Sequence, residues 1–209
     1  MANGAATRIR KSREKILAAA EQLFPHHGFL GTNMDAVAEV AGVSKQTVYA
    51  HFKSKETLFI EVIAAMTGGA AAEIGEDIAD DFEGVSAADF FQQVALDQLI
   101  VVMTPRLMQL RRMVIGEVER FPELGRSLYE NGPKRTINRV AHACSHYTDT
   151  GELYAPDAQK AATQFNWLVM GAPTNAAMLL GDDGIPERNQ LQEHAAEAVR
   201  IFLCAYAPS

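Results

Sequence analysis

The sequence predicts an all-α protein on three observations: apolar residues recur at helical spacing along almost the whole chain, β-branched residues are scattered, and no alternating run marks a strand. Of its 209 residues 48% are hydrophobic and 22% charged, enough for a true core and too apolar for a disordered chain. Charge is divided unevenly. Met1–Met66 carries 8 Lys+Arg against 6 Asp+Glu, whereas the remainder carries 11 against 20, within a net charge of -7. A weakly basic head on an acidic body suits a polyanionic partner for the head alone.

The first helix is expected from about Thr7 to His27, with Ile16, Leu17, Ala20, Leu23 and Phe24 on one stripe and Gly28 as its stop. Pro25 tightens or bends its last turn. Thr32 and Asp35 have capping-box spacing and open a short helix carrying Met34, Val37, Ala38 and Val40, which Gly42 ends. Ser44 opens another, to about Tyr49 or Ala50, and Ser54 opens the next. Two short helices joined around AGVS describe a helix-turn-helix. At Gly68 and Gly69 the sequence is compatible with a break or with a continuous helix, since each glycine costs about 1 kcal/mol in a helix interior.

In the body, Ser86 and Asp89 start a helix that ends at Thr104 and Pro105, and another spans about Arg106 to Glu119. Pro122 opens the next, which is interrupted at Gly132 and Pro133 and resumes to about Thr148. The last two helices, from about Asp157 to Leu180 and from Glu187 to Ala205, form an antiparallel pair joined by GDDGIP. The whole amounts to about nine or more helices. A three-helix head over residues 1–53 precedes a helical-bundle body over residues 54–209, in which Pro173 is expected to kink the penultimate helix.

Chemistry concentrates in AGVSKQTVYAHFKSKETLF, residues 41–59. A helix that enters a major groove about 12 Å wide needs hydroxyl and amide groups for base edges and cations for flanking phosphates. Ser44, Lys45, Gln46, Thr47 and Tyr49 can project outward while Val43, Val48 and Phe52 pack back against Val37, Leu23 and Phe24. Lys55, at the start of the following helix, is placed to clamp a phosphate beside free backbone N–H groups. A plain solvated helical surface would have the same composition.

The run ILAAAEQLFPHHGFLGTNMDAVAEVAGVSKQTVYAHFKSKETLF, Ile16 to Phe59, resembles the DNA-binding domain of the TetR family of transcriptional regulators. Shared landmarks are the alanine-rich first helix ending in LF, the following GF, T-x-M-D-x-V-A, AGVSKQTVY, the HF pair, and SKE with Leu58. The resemblance implies a homodimer whose two heads bind adjacent major-groove turns of a near-palindromic double-stranded DNA operator. It places DNA contacts at Thr32, Met34, Ser44, Lys45, Gln46, Thr47, Tyr49, His51 and Lys55. At Pro25 the family more often has alanine or a charged residue. Further on, RRMVIGEVERFPELGRSLYENGPKRTINRV is similar to the body of an AefR-like subgroup, as is TDTGEL. A ligand-responsive repressor released by a small lipophilic effector is the function this implies; the alternative is a small-molecule binding or sequestering protein without operator recognition.

Met103, Leu107, Leu110, Met113, Val114, Trp167 and Met170 could line the effector cavity, with Glu117, His146 and Asn166 as polar anchors, although core packing claims most of these residues. On the penultimate helix Phe165, Leu168, Ala172 and Leu179 make one face, and Trp167, Met170, Thr174 and Met178 another. One face should meet the dimer partner and the other the pocket, and the spacing permits either choice. Taking the first for the dimer joins it to Ala195, Ala198, Val199 and Phe202 of the final helix. His142 and His146 are spaced for a metal, yet no third ligand is signalled, so no metal is expected. Cys144 and Cys204 sit in apolar helical patterns and are expected to be reduced core thiols. Phosphate loops, dinucleotide fingerprints, G-x-S-x-G and H-E-x-x-H are missing, so no enzyme, catalytic residue or cofactor is indicated. The start MANGAATRIRKSREK has no apolar core of a secretion signal, and no run approaches the ~20 apolar residues of a membrane span.

Overall fold

The structure, a computed structural model, describes residues 2–73 and 82–208. Among these residues it is all-helical: α1 (Ala2–Gly31), α2 (Met34–Ala41), α3 (Lys45–His51), α4 (Lys55–Glu73), α5 (Ala87–Val102), α6 (Pro105–Glu117), α7 (Pro122–Asn131), α8 (Pro133–Asp149), α9 (Ala158–Leu180) and α10 (Arg188–Ala205), with a 3₁₀ turn at Gly181–Gly184. The chain divides into two compact units, one made of residues 1–66 with 109–128, the other of residues 67–108 with 129–209.

Most helix starts follow from local capping chemistry. The side chains of Ser44, Ser86 and Asp157 accept hydrogen bonds from the backbone N–H groups of Thr47, Asp89 and Lys160, and Ser54 does the same for Thr57. Each relieves one of the donors a helix leaves unpaired at its N-terminus. At α10 Glu187 and Gln190 form a reciprocal capping box. The start of α2 differs from expectation by one residue. Asn33, not Thr32, caps it by accepting from Ala36 N at 2.8 Å. Thr32 turns inward and donates its hydroxyl to Gly28 O at 2.8 Å. Gly28 interrupts α1 as expected, with φ 71° and ψ 172°, before a last short segment that reaches Gly31.

Within the first unit, Ile16, Ala20, Phe24, Phe29, Val37, Val48, Phe52, Leu58 and Phe59 form a core that excludes water. Phe59 packs against Phe24 (4.4 Å between ring centroids) and Phe29 (5.3 Å), and Phe121 meets the Phe29 ring edge-on at 4.9 Å. Helix α4 runs unbroken through Gly68 and Gly69 to Glu73.

In the second unit Phe91 of α5, Phe165 of α9 and Phe202 of α10 pack mutually at 4.8–5.1 Å. Glu152 of the TDTGEL stretch accepts from Ala87 N, so this loop caps α5. Pro173 lies inside α9, and proline has no N–H for the carbonyl four residues back. That carbonyl, Val169 O, is instead 2.8 Å from His194 Nε2 of α10, which donates to it. The two cysteines part company. Cys144 is buried, which pushes its thiol up to about 12, whereas Cys204 is exposed rather than in the core.

The turn of the helix-turn-helix depends on Gly42, whose φ of 64° lies in the left-handed region and lets its N–H and that of Val43 close α2. Gly42→Ala should therefore destabilise the protein by about 1–2 kcal/mol, the cost of an L-residue in that conformation, read as a lower urea midpoint at unchanged slope.

Candidate nucleic-acid interface

Helix α3 is anchored on one side and open on the other. Val48 is fully buried and Phe52, its C-terminal neighbour, nearly so. Around them Ser44, exposed because it caps the open end of the helix, and Lys45, Gln46 and Tyr49 along it reach solvent, and Tyr49 keeps 44% of its surface exposed. Ser44 and Thr47 are engaged locally, their hydroxyls 2.8 Å apart at the cap. Gln46 and Tyr49 are thus the long side chains that α3 offers outward with amide and phenol groups.

Two cations at and beside this helix, Lys45 and Lys55, are tied into the head. Lys45 pairs with Asp35 of α2 at 2.7 Å, and the hydrogen bond from its ammonium to that carboxylate holds its pKa above the usual lysine range. Both groups are more than half exposed, so the pair adds little stability but fixes where the ammonium sits. Lys55 donates to Phe29 O at 2.7 Å and lies 4.5 Å from the centre of the Phe29 ring. It closes the end of α1 with a charge suited to a helix C-terminus. Beside it Glu56 is held below the usual carboxylate range by its own backbone N–H and by Ser54.

His51 faces α1. The Ser12 hydroxyl donates to Ile9 O, so across the 2.7 Å contact with Ser12 Oγ it is His51 Nε2 that carries the proton. Arg13 spans to Glu61 of α4 at 2.7 Å and covers the Phe52 ring at 5.4 Å. Thr32 and Met34, expected among the DNA contacts, have buried side chains. Of the nine expected contacts, then, Ser44, Lys45, Gln46 and Tyr49 are exposed, Thr47 among them and His51 and Lys55 beyond them are half-buried, and Thr32 and Met34 belong to the core.

The body residues separate differently from expectation. Leu110, Met113, Val114 and Glu117 lie in the first unit; Met103, Leu107, His146, Asn166, Trp167 and Met170 lie in the second. Met103, Asn166 and Met170 are buried, His146 stacks on Phe82 at 4.4 Å, and Trp167 is 60% exposed, so it lines no interior wall of its own chain. Of the expected dimer residues, Phe165, Ala195, Ala198, Val199 and Phe202 are buried in the chain's own core, Leu168 is half-buried against it, and Ala172 and Leu179 remain at the surface. Among the described residues no three His, Cys, Asp or Glu side chains gather to hold a metal. Gln98, buried against Asn166, was not singled out by the sequence, where it is one of several polar residues along α5.

Residues 16–62 match the family described as bacterial regulatory proteins, tetR family, and residues 90–208 match the AefR-like transcriptional repressor C-terminal domain. The chain belongs to the TetR family. Over 96% of this chain and 98% of the other, it superposes with a TM-score of 0.88 and 33% identity on a TetR-family regulator from Mesorhizobium loti. The flavonoid-responsive regulator FrrA is 31% identical over 94% of this chain and 97% of its own, with a TM-score of 0.79. The HTH-type regulator UidR of Escherichia coli is 28% identical over 160 residues, 75% of this chain and 76% of that protein. These relatives are transcription regulators, not enzymes, and α2–α3 is the TetR helix-turn-helix that binds DNA.

Because Lys55 holds the end of α1 in this TetR head, Lys55→Ala should lower stability as well as DNA affinity. A loss of about 1–2 kcal/mol in urea unfolding of the DNA-free protein is expected from the charged hydrogen bond and ring contact.

Proposed function

We propose that this TetR-family regulator is a repressor that binds a palindromic operator as a homodimer and is released by a small lipophilic effector. The observation that carries the DNA half is the exposure of Ser44, Lys45, Gln46 and Tyr49 on a short helix pinned by Val48. Side chains fixed this way can read base edges, and backbone N–H groups at the start of α4 with Lys55 can take a flanking phosphate. Operator contacts fall to residues 1–53 with Lys55, and effector binding and dimerisation to residues 54–209. The match to a repressor C-terminal domain supports the sign of regulation, and the flavonoid-responsive relative supports an apolar, ring-containing effector. The site of action is the cytoplasm; no helix among the described residues is long and apolar enough to cross a membrane.

Dimerisation is assigned to the outward face of α9 with the edge of α10. Trp167 (60%), Leu179 (75%) and Ile201 (40%) leave large apolar surfaces in water, next to Leu168 and Met178. Large apolar side chains left in water on two neighbouring helices mark an interaction surface. A second copy related by a two-fold axis covers them with the same face and sets the two recognition helices about one DNA turn, ~34 Å, apart. Effector binding favours a body conformation in which that spacing no longer fits.

A footprint on the DNA upstream of the protein's own gene should show a symmetric protected site that a lipophilic effector removes. Gln46→Ala and Tyr49→Ala should each weaken operator binding about tenfold or more with little change in melting temperature. Absence of any sequence-selective protection would overturn the repressor reading in favour of a sequestering protein. Separately, Trp167→Asp combined with Leu179→Asp should convert a dimer into a folded monomer in sedimentation velocity and abolish the footprint.

A further inference from the structure

We propose that Gln98 of α5 and Asn166 of α9 are the polar anchor of the effector site, and that the group they hold is a hydroxyl carried on an apolar ring. This rests on the ligand-responsive reading above and names the chemistry the ligand must offer.

Both side chains are buried, at 3% and 4% exposure. Gln98 Nε2 donates to Asn166 Oδ1 at 3.0 Å, while Gln98 Oε1 is buried without a hydrogen-bond partner. One helical turn to either side stand Val94 and Val102 on α5 and Ala162 and Met170 on α9, and Thr163, three residues before Asn166, gives its hydroxyl to Gln159 O. Burying an amide in such surroundings is costly, and two leucines would pack there without the penalty. Neither residue caps a helix; each sits in a helix interior. A polar atom of this kind is matched by something outside the chain, a ligand or a water.

The pair also restricts what that ligand can be. In the present orientation it presents a carbonyl oxygen, which requires a donor. If both amides rotate by a half turn, Asn166 donates to Gln98 and the free group becomes an N–H, which requires an acceptor. A hydroxyl satisfies either arrangement, whereas an ether satisfies one. A carboxylate or ammonium would enter without a countercharge in the pair and lose its hydration uncompensated. Beyond the hydroxyl the surroundings are apolar, and Met170 is the adaptable side chain able to reshape around a flat ring.

The test uses the full-length protein, a series of monohydroxyflavones and their O-methyl ethers, with binding measured by calorimetry in wild type and Gln98→Met. Wild type should bind at least one hydroxyflavone about tenfold more tightly than its ether, the effect of one buried hydrogen bond. Gln98→Met should reduce that preference to less than about twofold while keeping the ether. A preference that survives the substitution overturns the proposal. So does wild type that binds no member of the series, which leaves the pair as the seat of an internal water only. The Gln98→Leu, Asn166→Leu double variant removes both amides and so leaves no orphan; its melting temperature should equal or exceed that of wild type, and its preference should be lost as well. Footprints without ligand separate this inference from the repressor reading. Selective DNA binding without flavone binding sinks the anchor alone, and hydroxyl-dependent flavone binding without selective DNA binding sinks the repressor alone.

Discussion

Phe29 sits where three demands on the DNA-binding unit meet. Its ring is 1% exposed, packed on Phe59 of α4 and met edge-on by Phe121, while its carbonyl and its π-face both receive the Lys55 ammonium. Burial of one such side chain contributes about 2–3 kcal/mol, a large share of the 5–15 kcal/mol that keeps a domain folded. The recognition helix has few contacts of its own. At seven residues it is too short to persist alone, and its position is inherited from the core beneath Val48 and Phe52. The recognition helix is therefore held by residues outside it, among them Phe29, Arg13 and the inward-facing Thr32.

Several polar groups that look like ligands for a phosphate in the sequence are used twice, or used elsewhere. Lys45 is paired with Asp35, so phosphate must compete with a carboxylate for it; Lys55 has given hydrogen bonds to backbone carbonyls. This lowers the head's generalised attraction for nucleic acid and, on the proposed reading, gives more weight to the neutral groups of Gln46 and Tyr49. An overall net charge of -7 acts in the same direction, since the acidic body is repelled by the polyanion that the head must approach.

Elements governed by chemistry within one turn of chain were legible in the sequence. Ser44, Ser54, Ser86, Asp157 and Pro122 each mark a helix start because a cap or a missing N–H acts locally. Thr32 failed because Asn33, one place on, offers an equally good oxygen, and only the tertiary fold decides which side chain turns inward. The faces of α9 failed for a related reason. Phe165 and Ala172 lie seven residues apart and belong on one stripe, yet the first is buried and the second exposed. Periodicity gives the angle between two residues on a helix, whereas the direction of the core depends on α5 and α10. Gln98 carries no sequence signal at all: its meaning comes from Asn166, 68 positions later.

Whether so few polar groups can switch the proposed repressor is a question of magnitude. Moving a conformational equilibrium from 99:1 to 1:99 takes about 5.5 kcal/mol of differential binding, or roughly 2.7 kcal/mol for each of two effectors in a symmetric dimer. One hydrogen bond to an otherwise unsatisfied buried amide supplies about 1–1.5 kcal/mol. The remainder corresponds to about 50–70 Å² of apolar ligand surface removed from water in one state and not in the other. A single ring edge covers that area. The body therefore needs no charged site to respond to a small neutral molecule, provided that the state which closes around the ring is the one whose heads have left register with the DNA.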